Sequence, residues 1–282
     1  MADLPNGTIE LIERALEEDL GSGDITAEAT VPPEAQGRAH LIQKQPGVVY
    51  GLDIAEEVFR RVGVDDFDRT VIEGHWHDSV PRDIALIHGP ARALLAGERV
   101  ALNFLGHLSG ISTLTARFVD EVGGSGTKIL DTRKTTPGMR LLEKRAVTFG
   151  GGQNHRIGLF DAVLIKENHI AMAGGVSEAV TASRQASPDL MIEVEAESLD
   201  EVRTAIEAGA DRILLDNMDP EMLRQAVTIR DQNGAEVQLE ASGGIDLENV
   251  AEVAGTGVDF ISIGALTHSA PALDLSLLIN PV

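Results

Sequence analysis

From about residue 129 to residue 264 one pattern recurs along the chain: a short apolar run rich in Ile, Val and Leu, then in most intervals a segment with helical periodicity. The runs are "KIL" before Asp131, "AVLI" before Lys166, "LMIEV" before Glu195, "RILL" before Asp216, "VQLEA" before Ser242 and "FISI" before Gly264. Segments such as "SLDEVRTAIEAGA" and "DPEMLRQAVTIRDQ" space their apolar residues three and four apart, as one helix face requires. Strands alternating with helices at this spacing predict a parallel sheet. If the sheet closes as an α/β barrel of TIM-like type, the polar or glycine residues that follow each run gather on one rim, where such folds place their chemistry.

The first hundred residues are less regular and predict a smaller α+β domain. A helix is expected at "TIELIERALEEDL", and "AHLIQKQPGVVYGLDIAEEVFRRVG" reads as strand, turn and helix. Residues 70–95 resemble paired strands broken by Pro81 and Pro90. A long helical stretch follows from about Ala91 to Val122, with breaks expected near Gly106 and Gly110. The expected division is 1–107 for the N-terminal domain, 108–270 for the barrel and 271–282 for a tail packing back on the N-terminal domain, with no disordered linker.

The 282 residues and 43% hydrophobic content are enough for a sizeable core. A net charge of −22 argues against nucleic acid or an anionic membrane as partner, since both need a broad basic face. No stretch approaches eighteen uninterrupted apolar residues, and the acidic start lacks the pattern of a secretory signal, so a cytoplasmic location is expected. The absence of cysteine removes disulfides, thiolate metal sites and a cysteine nucleophile. Scarce lysine beside abundant Asp and Glu suggests a surface adapted to a salt-rich medium, where screening relieves self-repulsion.

Against that background, residues 131–169 stand out as a positive island. They hold Arg133, Lys134, Arg140, Lys144, Arg145, Arg156 and Lys166 against only Asp131, Glu143, Asp161 and Glu167, with His155 and His169 in addition. Arg133, Lys134, His155, Arg156 and Lys166 fall at expected rim positions. Cations gathered there without matching carboxylates call for an anionic ligand, bidentate carboxylate recognition by Arg and point-charge attraction by Lys being the usual means. Arg140, Lys144 and Arg145 fall on a helix, where a solvated face is the ordinary reading. Glu195 and Asp216 end the next two runs and suit Mg²⁺, sugar hydroxyls or a developing positive charge. Glu193 alternates with Glu195 and shares its face, deeper in the barrel. The "SGGI" and "IGALTHS" segments follow the last two strands, where barrels often bind phosphate through backbone N–H groups. "GGGQN" lacks the ending of a Walker A loop, and the His75 and His77 pair is too few ligands for a metal.

Taken together, "DTRKTTPGMRLLEKRAV", "GGGQNHRIGLFDAVLIKENH", "EVE", "LLDNM", "EASGGI" and "TGVDFISIGALTHS" resemble the quinolinate phosphoribosyltransferase family. The resemblance extends to "LEEDLGSGDIT", "PGVVYGLDIAEEVF" and "AGERVALNFLGHLSGIST", and so covers nearly the whole chain. It implies an incomplete α/β barrel with a smaller N-terminal α+β domain, working as a homodimer or a multiple of one. It also implies a reaction that joins quinolinate to phosphoribosyl diphosphate with Mg²⁺, giving nicotinate mononucleotide, CO₂ and diphosphate. By resemblance, Arg133, His155, Arg156 and Lys166 hold the quinolinate carboxylates, and Arg99 reaches in from a neighbouring subunit. Lys134 and Lys166 face the diphosphate, and Glu195 and Asp216 serve the ribose hydroxyls and Mg²⁺. Ser242, Gly243 and Gly264 cradle the 5′-phosphate, with His268 close by. The catalytic set so implied is Lys134, Lys166, Glu195 and Asp216.

The segment "EGHWHDSVPRD" departs from the family pattern, away from the matched site motifs. Two other readings remain open at this point: a phosphoribosyltransferase of the same fold acting on another ring, such as nicotinate or the substrate of molybdenum-associated relatives, and a non-catalytic anion-binding barrel. The paired "RK" and "HR" cations favour a dicarboxylate over the first. Carboxylates among the cations count against the second.

Overall fold

The structure, a computed structural model, describes residues 4–234 and 236–282. Its strands are β1 (Gln36–Gln43), β2 (Gly47–Val48), β3 (Asp66–Arg69), β4 (Trp76–His77), β5 (Arg82–Pro90), β6 (Lys128–Leu130), β7 (Val163–Ile165), β8 (Ile192–Ala196), β9 (Arg212–Asp216), β10 (Gln238–Ser242), β11 (Phe260–Ser262) and β12 (Leu275–Pro281). They divide between two compact units, one made of residues 1–116, 135–151 and 267–282, the other of 117–134 and 152–266.

In the first unit, β12, β1, β5 and β3 form an antiparallel sheet in that order. Alternation in β1 buries Ala39 and Leu41, and the helix Leu52–Arg61 buries an apolar side that includes Ile54, Val58 and Phe59. Closing residues return to this sheet because β12 pairs with β1. The paired strands expected within 70–95 take a different form: β5 pairs with β1 and β3, and the short β4 pairs with β2. His75 and His77 are therefore parts of a minimal ladder and its approach, and His77 Nδ1 lies 3.0 Å from Arg82 Nη1, a cation that opposes metal binding.

The helix Ala91–Glu121 runs without a break through Gly106 and Gly110. Both glycines serve close approach. A Cβ at Gly110 would lie 2.2 Å from the Pro271 carbonyl oxygen, and one at Gly106 would lie 3.3 Å from that of Leu273. The Leu273 amide donates to the Gly106 carbonyl at 2.9 Å, so the missing side chains let the C-terminal segment lie directly on the helix.

The helix Arg140–Phe149 also belongs to this unit, which places it outside the barrel of the expected division. Its charged residues do not form a solvated face: Lys144 and Glu143 are buried, and Arg140 and Arg145 are half-buried. Burial is supported by specific partners. Glu143 accepts from the Thr136 amide at 3.0 Å and meets His107 Nε2 at 2.8 Å, Arg140 donates to Thr135 Oγ1 at 3.0 Å, and Arg145 lies over the Phe149 ring.

The second unit is a parallel six-stranded sheet in the order β6, β11, β10, β9, β8, β7, with helices between successive strands. Among the described residues no ladder joins β7 to β6, so the barrel is incomplete, the gap being partly spanned by a bridge from Leu130 to Gln153. Two helix starts carry side-chain caps legible in the sequence: Ser198 and Glu201 form a reciprocal capping box, and Asp219 accepts from the Met222 amide with Pro220 at the first helical turn. No helix of the described residues is long and apolar enough to cross a membrane.

Candidate active site

Strand register decides which side chains meet at the C-terminal ends of the barrel strands. Glu195 pairs with Leu214 and Leu214 with Glu240, while one step further on Asp216 pairs with Ser242 and Ser242 with Ser262. These rows line a pocket of about 360 Å³, completed by Arg133, Lys134 and Thr132 after β6, by His155 and Arg156 before β7, and by Lys166 after it.

Loops carrying the cations are fixed by carboxylates that accept from backbone amides. Asp131, fully buried, accepts from the His155 amide at 2.9 Å, and Asp161 accepts from the amides of Ile157 and Gly158 at 2.7 and 2.9 Å. Asp161 thereby anchors the backbone of the loop that holds Arg156. Burial, and after it the charge of Arg133, lowers the Arg156 pKa from its ordinary value, as expected of like charges held together. On the other side of the pocket Lys166 Nζ donates to Glu195, whose side chain is 11% exposed against 47% for the lysine. Lys166 is held in place from behind, its amide donating to His169 Nδ1 at 2.9 Å at the start of the helix Glu167–Ala173.

A second cluster lies at the pocket floor. His155 Nε2 is 2.8 Å from Glu193 and 3.5 Å from Glu240, both fully buried, and Arg212 reaches Glu240 at 3.3 Å while stacking over Phe260 at 4.0 Å. These three carboxylate and imidazole groups lie within 4.8 Å of one another, close enough for a metal. The other ring nitrogen speaks against one: His155 Nδ1 accepts the Arg156 amide at 2.7 Å, so the ring proton belongs on Nε2, where a metal would have to bind. The two carboxylates and the imidazole are instead buried together. Burial, reinforced by the charge of Glu193, pushes Glu240 up to about 7. Burial would push His155 down; the contact with Glu193 and the charge of Glu240 pull it up, while the Arg156 amide on Nδ1 opposes protonation there.

Eight of the residues singled out in the sequence therefore converge on one pocket: Arg133, Lys134, His155, Arg156, Lys166, Glu195, Asp216 and Ser242. Both ring nitrogens of His155 face groups of the protein, Nε2 lying 2.8 Å from Glu193 and Nδ1 accepting the Arg156 amide. Gly243 forms the turn directly after Ser242, at φ 97°, and Gly264 follows β11 ahead of the short helix Ala265–His268. Arg99 and His268 belong to the first unit, both exposed; Arg99 has Glu98 at 4.0 Å and His268 has Ser269 at 2.6 Å. Sequence reasoning missed Thr132, Arg212, Glu240 and Ser262. Period two would have found two of them, since Glu240 alternates with Ser242 as Glu193 does with Glu195, and Arg212 alternates with Leu214 and Asp216.

Fold and site together define a class: an α/β-barrel protein whose strand ends form a cationic pocket with carboxylates set among the cations. The chain matches two family models, "Quinolinate phosphoribosyl transferase, N-terminal domain" over residues 24–109 and the corresponding C-terminal domain over residues 111–278. It is 44% identical over 274 residues to a nicotinate-nucleotide pyrophosphorylase [carboxylating] of Mycobacterium leprae, covering 95% of each chain. It is 43% identical over 271 residues to the probable enzyme of the same name from Bacillus subtilis, covering 95% of this chain and 92% of that one. Among solved structures, NadC from Streptococcus pyogenes superposes over 100% of both chains with a TM-score of 0.93 at 40% identity. The chain belongs to the quinolinate phosphoribosyl transferase family.

Proposed function

We propose that this chain transfers the phosphoribosyl group of phosphoribosyl diphosphate to quinolinate and releases CO₂, giving nicotinate mononucleotide and diphosphate for NAD biosynthesis. The observation that carries the reading is the composition of the pocket within a family already named for this chemistry: Arg133, Lys134, Arg156 and Lys166 around one cavity in a protein of net charge −22. Quinolinate bears two adjacent carboxylates and phosphoribosyl diphosphate more charge still, so both substrates need this counter-charge.

Arg133 and Arg156 bind the quinolinate carboxylates, and Lys134 and Lys166 draw the diphosphate. Glu195 and Asp216 face the ribose. As the C1–O bond breaks, its electron pair leaves with diphosphate and C1 gains positive character, which carboxylates beside it stabilise. The lone pair of the ring nitrogen then forms the C1–N bond. The resulting pyridinium accepts the electrons of the adjacent ring carbon–carboxylate bond as CO₂ departs, and that ring carbon takes up a proton. Positioning and electrostatics are sufficient for these steps. The backbone of Ser242, Gly243 and Gly264 receives the 5′-phosphate, where positive φ at Gly243 brings the chain close to an anion.

Mg²⁺ fits this site as an ion shared with substrate. Asp216 and Glu195 are hard oxygen donors, but Glu195 already holds Lys166, so most ligands must come from diphosphate oxygens and water. Bound in this way, the ion would neutralise diphosphate charge.

Purified protein supplied with phosphoribosyl diphosphate and Mg²⁺ should consume quinolinate and scarcely touch nicotinate or nicotinamide. Equal turnover of nicotinate would contradict the dicarboxylate assignment. Arg99, with its side chain 64% exposed, serves the site of a neighbouring subunit in a homodimer. Mixing inactive Arg99→Ala and Lys166→Ala subunits should accordingly restore part of the activity by assembling one intact site per dimer. No recovery despite demonstrated subunit exchange would count against that arrangement.

A further inference from the structure

We propose that Asn217 is a positioning residue that locks the Asp216 carboxylate and the Ser242–Gly244 turn into one arrangement, setting the distance between the two places where phosphoribosyl diphosphate is held. Among the described residues, Asn217 is the one non-glycine residue with positive φ, at 53°. That backbone conformation aims its side chain along the rim between β9 and β10. Its Nδ2 donates to Asp216 Oδ2 at 2.8 Å, its amide donates to the Ser242 carbonyl at 2.8 Å, and a Cβ built on Gly243 would fall 2.2 Å from its Oδ1. One side chain thus binds the carboxylate on its own strand and lies over the glycine of the next.

A simpler account is that asparagine tolerates the left-handed region and merely ends the strand. That account explains the φ value but leaves the convergence unexplained, because a turn residue needs neither a hydrogen bond to the pocket carboxylate nor a glycine cut away beneath it. With Oδ2 committed to Asn217, Asp216 is held in a single orientation and offers Oδ1 to a ligand. The glycine turn, pressed by the same side chain, keeps its backbone N–H groups in register with that oxygen. This inference rests on the reading above, in which Asp216 serves the ribose and the turn receives the 5′-phosphate of the same molecule.

Two variants separate the accounts. Asn217→Gly keeps the left-handed backbone without strain and removes the amide; Asn217→Asp keeps size and backbone tolerance but replaces the donor with an acceptor beside Asp216. Both should raise KM for phosphoribosyl diphosphate by about 10-fold or more, as loss of a hydrogen bond to a charged group implies. KM for quinolinate and the thermal midpoint should stay near their wild-type values. An Asn217→Gly enzyme with both KM values unchanged overturns the proposal, as do equal rises for both substrates or loss of the fold in both variants. Asp216→Asn, assayed beside them, separates the two levels of the argument. If it leaves KM for phosphoribosyl diphosphate unchanged, the role given to Asp216 falls and the inference with it. If it impairs that KM while Asn217→Gly does not, only the inference falls.

Discussion

Replacing Lys166 with alanine is expected to lower kcat/KM by about 10²- to 10³-fold, the scale on which removal of one preorganised electrostatic contact acts in a partly desolvated site. Two effects add. The substitution deletes a cation from the wall that receives the anionic substrates, and it strips Glu195 of its partner, so that an 11% exposed carboxylate turns from a neutralised group into a source of repulsion. Because Lys166 itself is 47% exposed, the fold should survive, and thermal unfolding should show little change. Steady-state kinetics beside a melting curve will decide. Retained activity would remove Lys166 from the machinery, and collapse of the fold would make the lysine a structural residue.

Glu240→Gln should change how stability depends on pH. Glu240 is fully buried against Glu193, with His155, Arg212 and Ser262 also facing it, and its pKa stands at about 7 against an ordinary value of 4.5. The folded state therefore binds this proton more tightly than the unfolded state does. Below about pH 4.5 both states carry it and the contribution is fully present. Between there and about 7, unfolding releases the proton, so each rise in pH favours the unfolded chain, and the loss is complete above the folded value. The difference amounts to on the order of 3 kcal/mol. Glutamine keeps the shape without the proton. The variant should lose this slope and exceed the wild type in stability at pH 8, measured by denaturant unfolding across a pH series. Parallel curves for the two proteins would show that Glu240 does not hold the proton.

How far the sequence foretold these residues depended on which physical rule each one obeys. Lys166, Glu195, Asp216 and Ser242 were legible because a strand end in an α/β barrel has only one rim to occupy, and their apolar runs mark the ends plainly. Glu240 was passed over because it lies inside its strand, where a charged residue interrupts an apolar run, and Arg212 because it opens its strand, although their alternation with Ser242 and Asp216 shows the inward face. The helix breaks expected at Gly106 and Gly110 followed local propensity, and a long-range contact overrode it: the C-terminal segment needs the room that a side chain would fill. A similar override governs Lys144 and Glu143, which the helix pattern alone would leave in water and which tertiary packing buries. Asn217 drew no notice, since neither composition nor period records a backbone dihedral.

The most direct test of the central claim follows the two carboxylates of quinolinate separately. The carbon of the group next to the ring nitrogen, isotopically labelled, should appear quantitatively as CO₂, one for each diphosphate released and each nicotinate mononucleotide formed. Label in the other carboxylate should remain wholly in the nucleotide. Diphosphate release without labelled CO₂, or label lost from the distal carboxylate, would contradict the account.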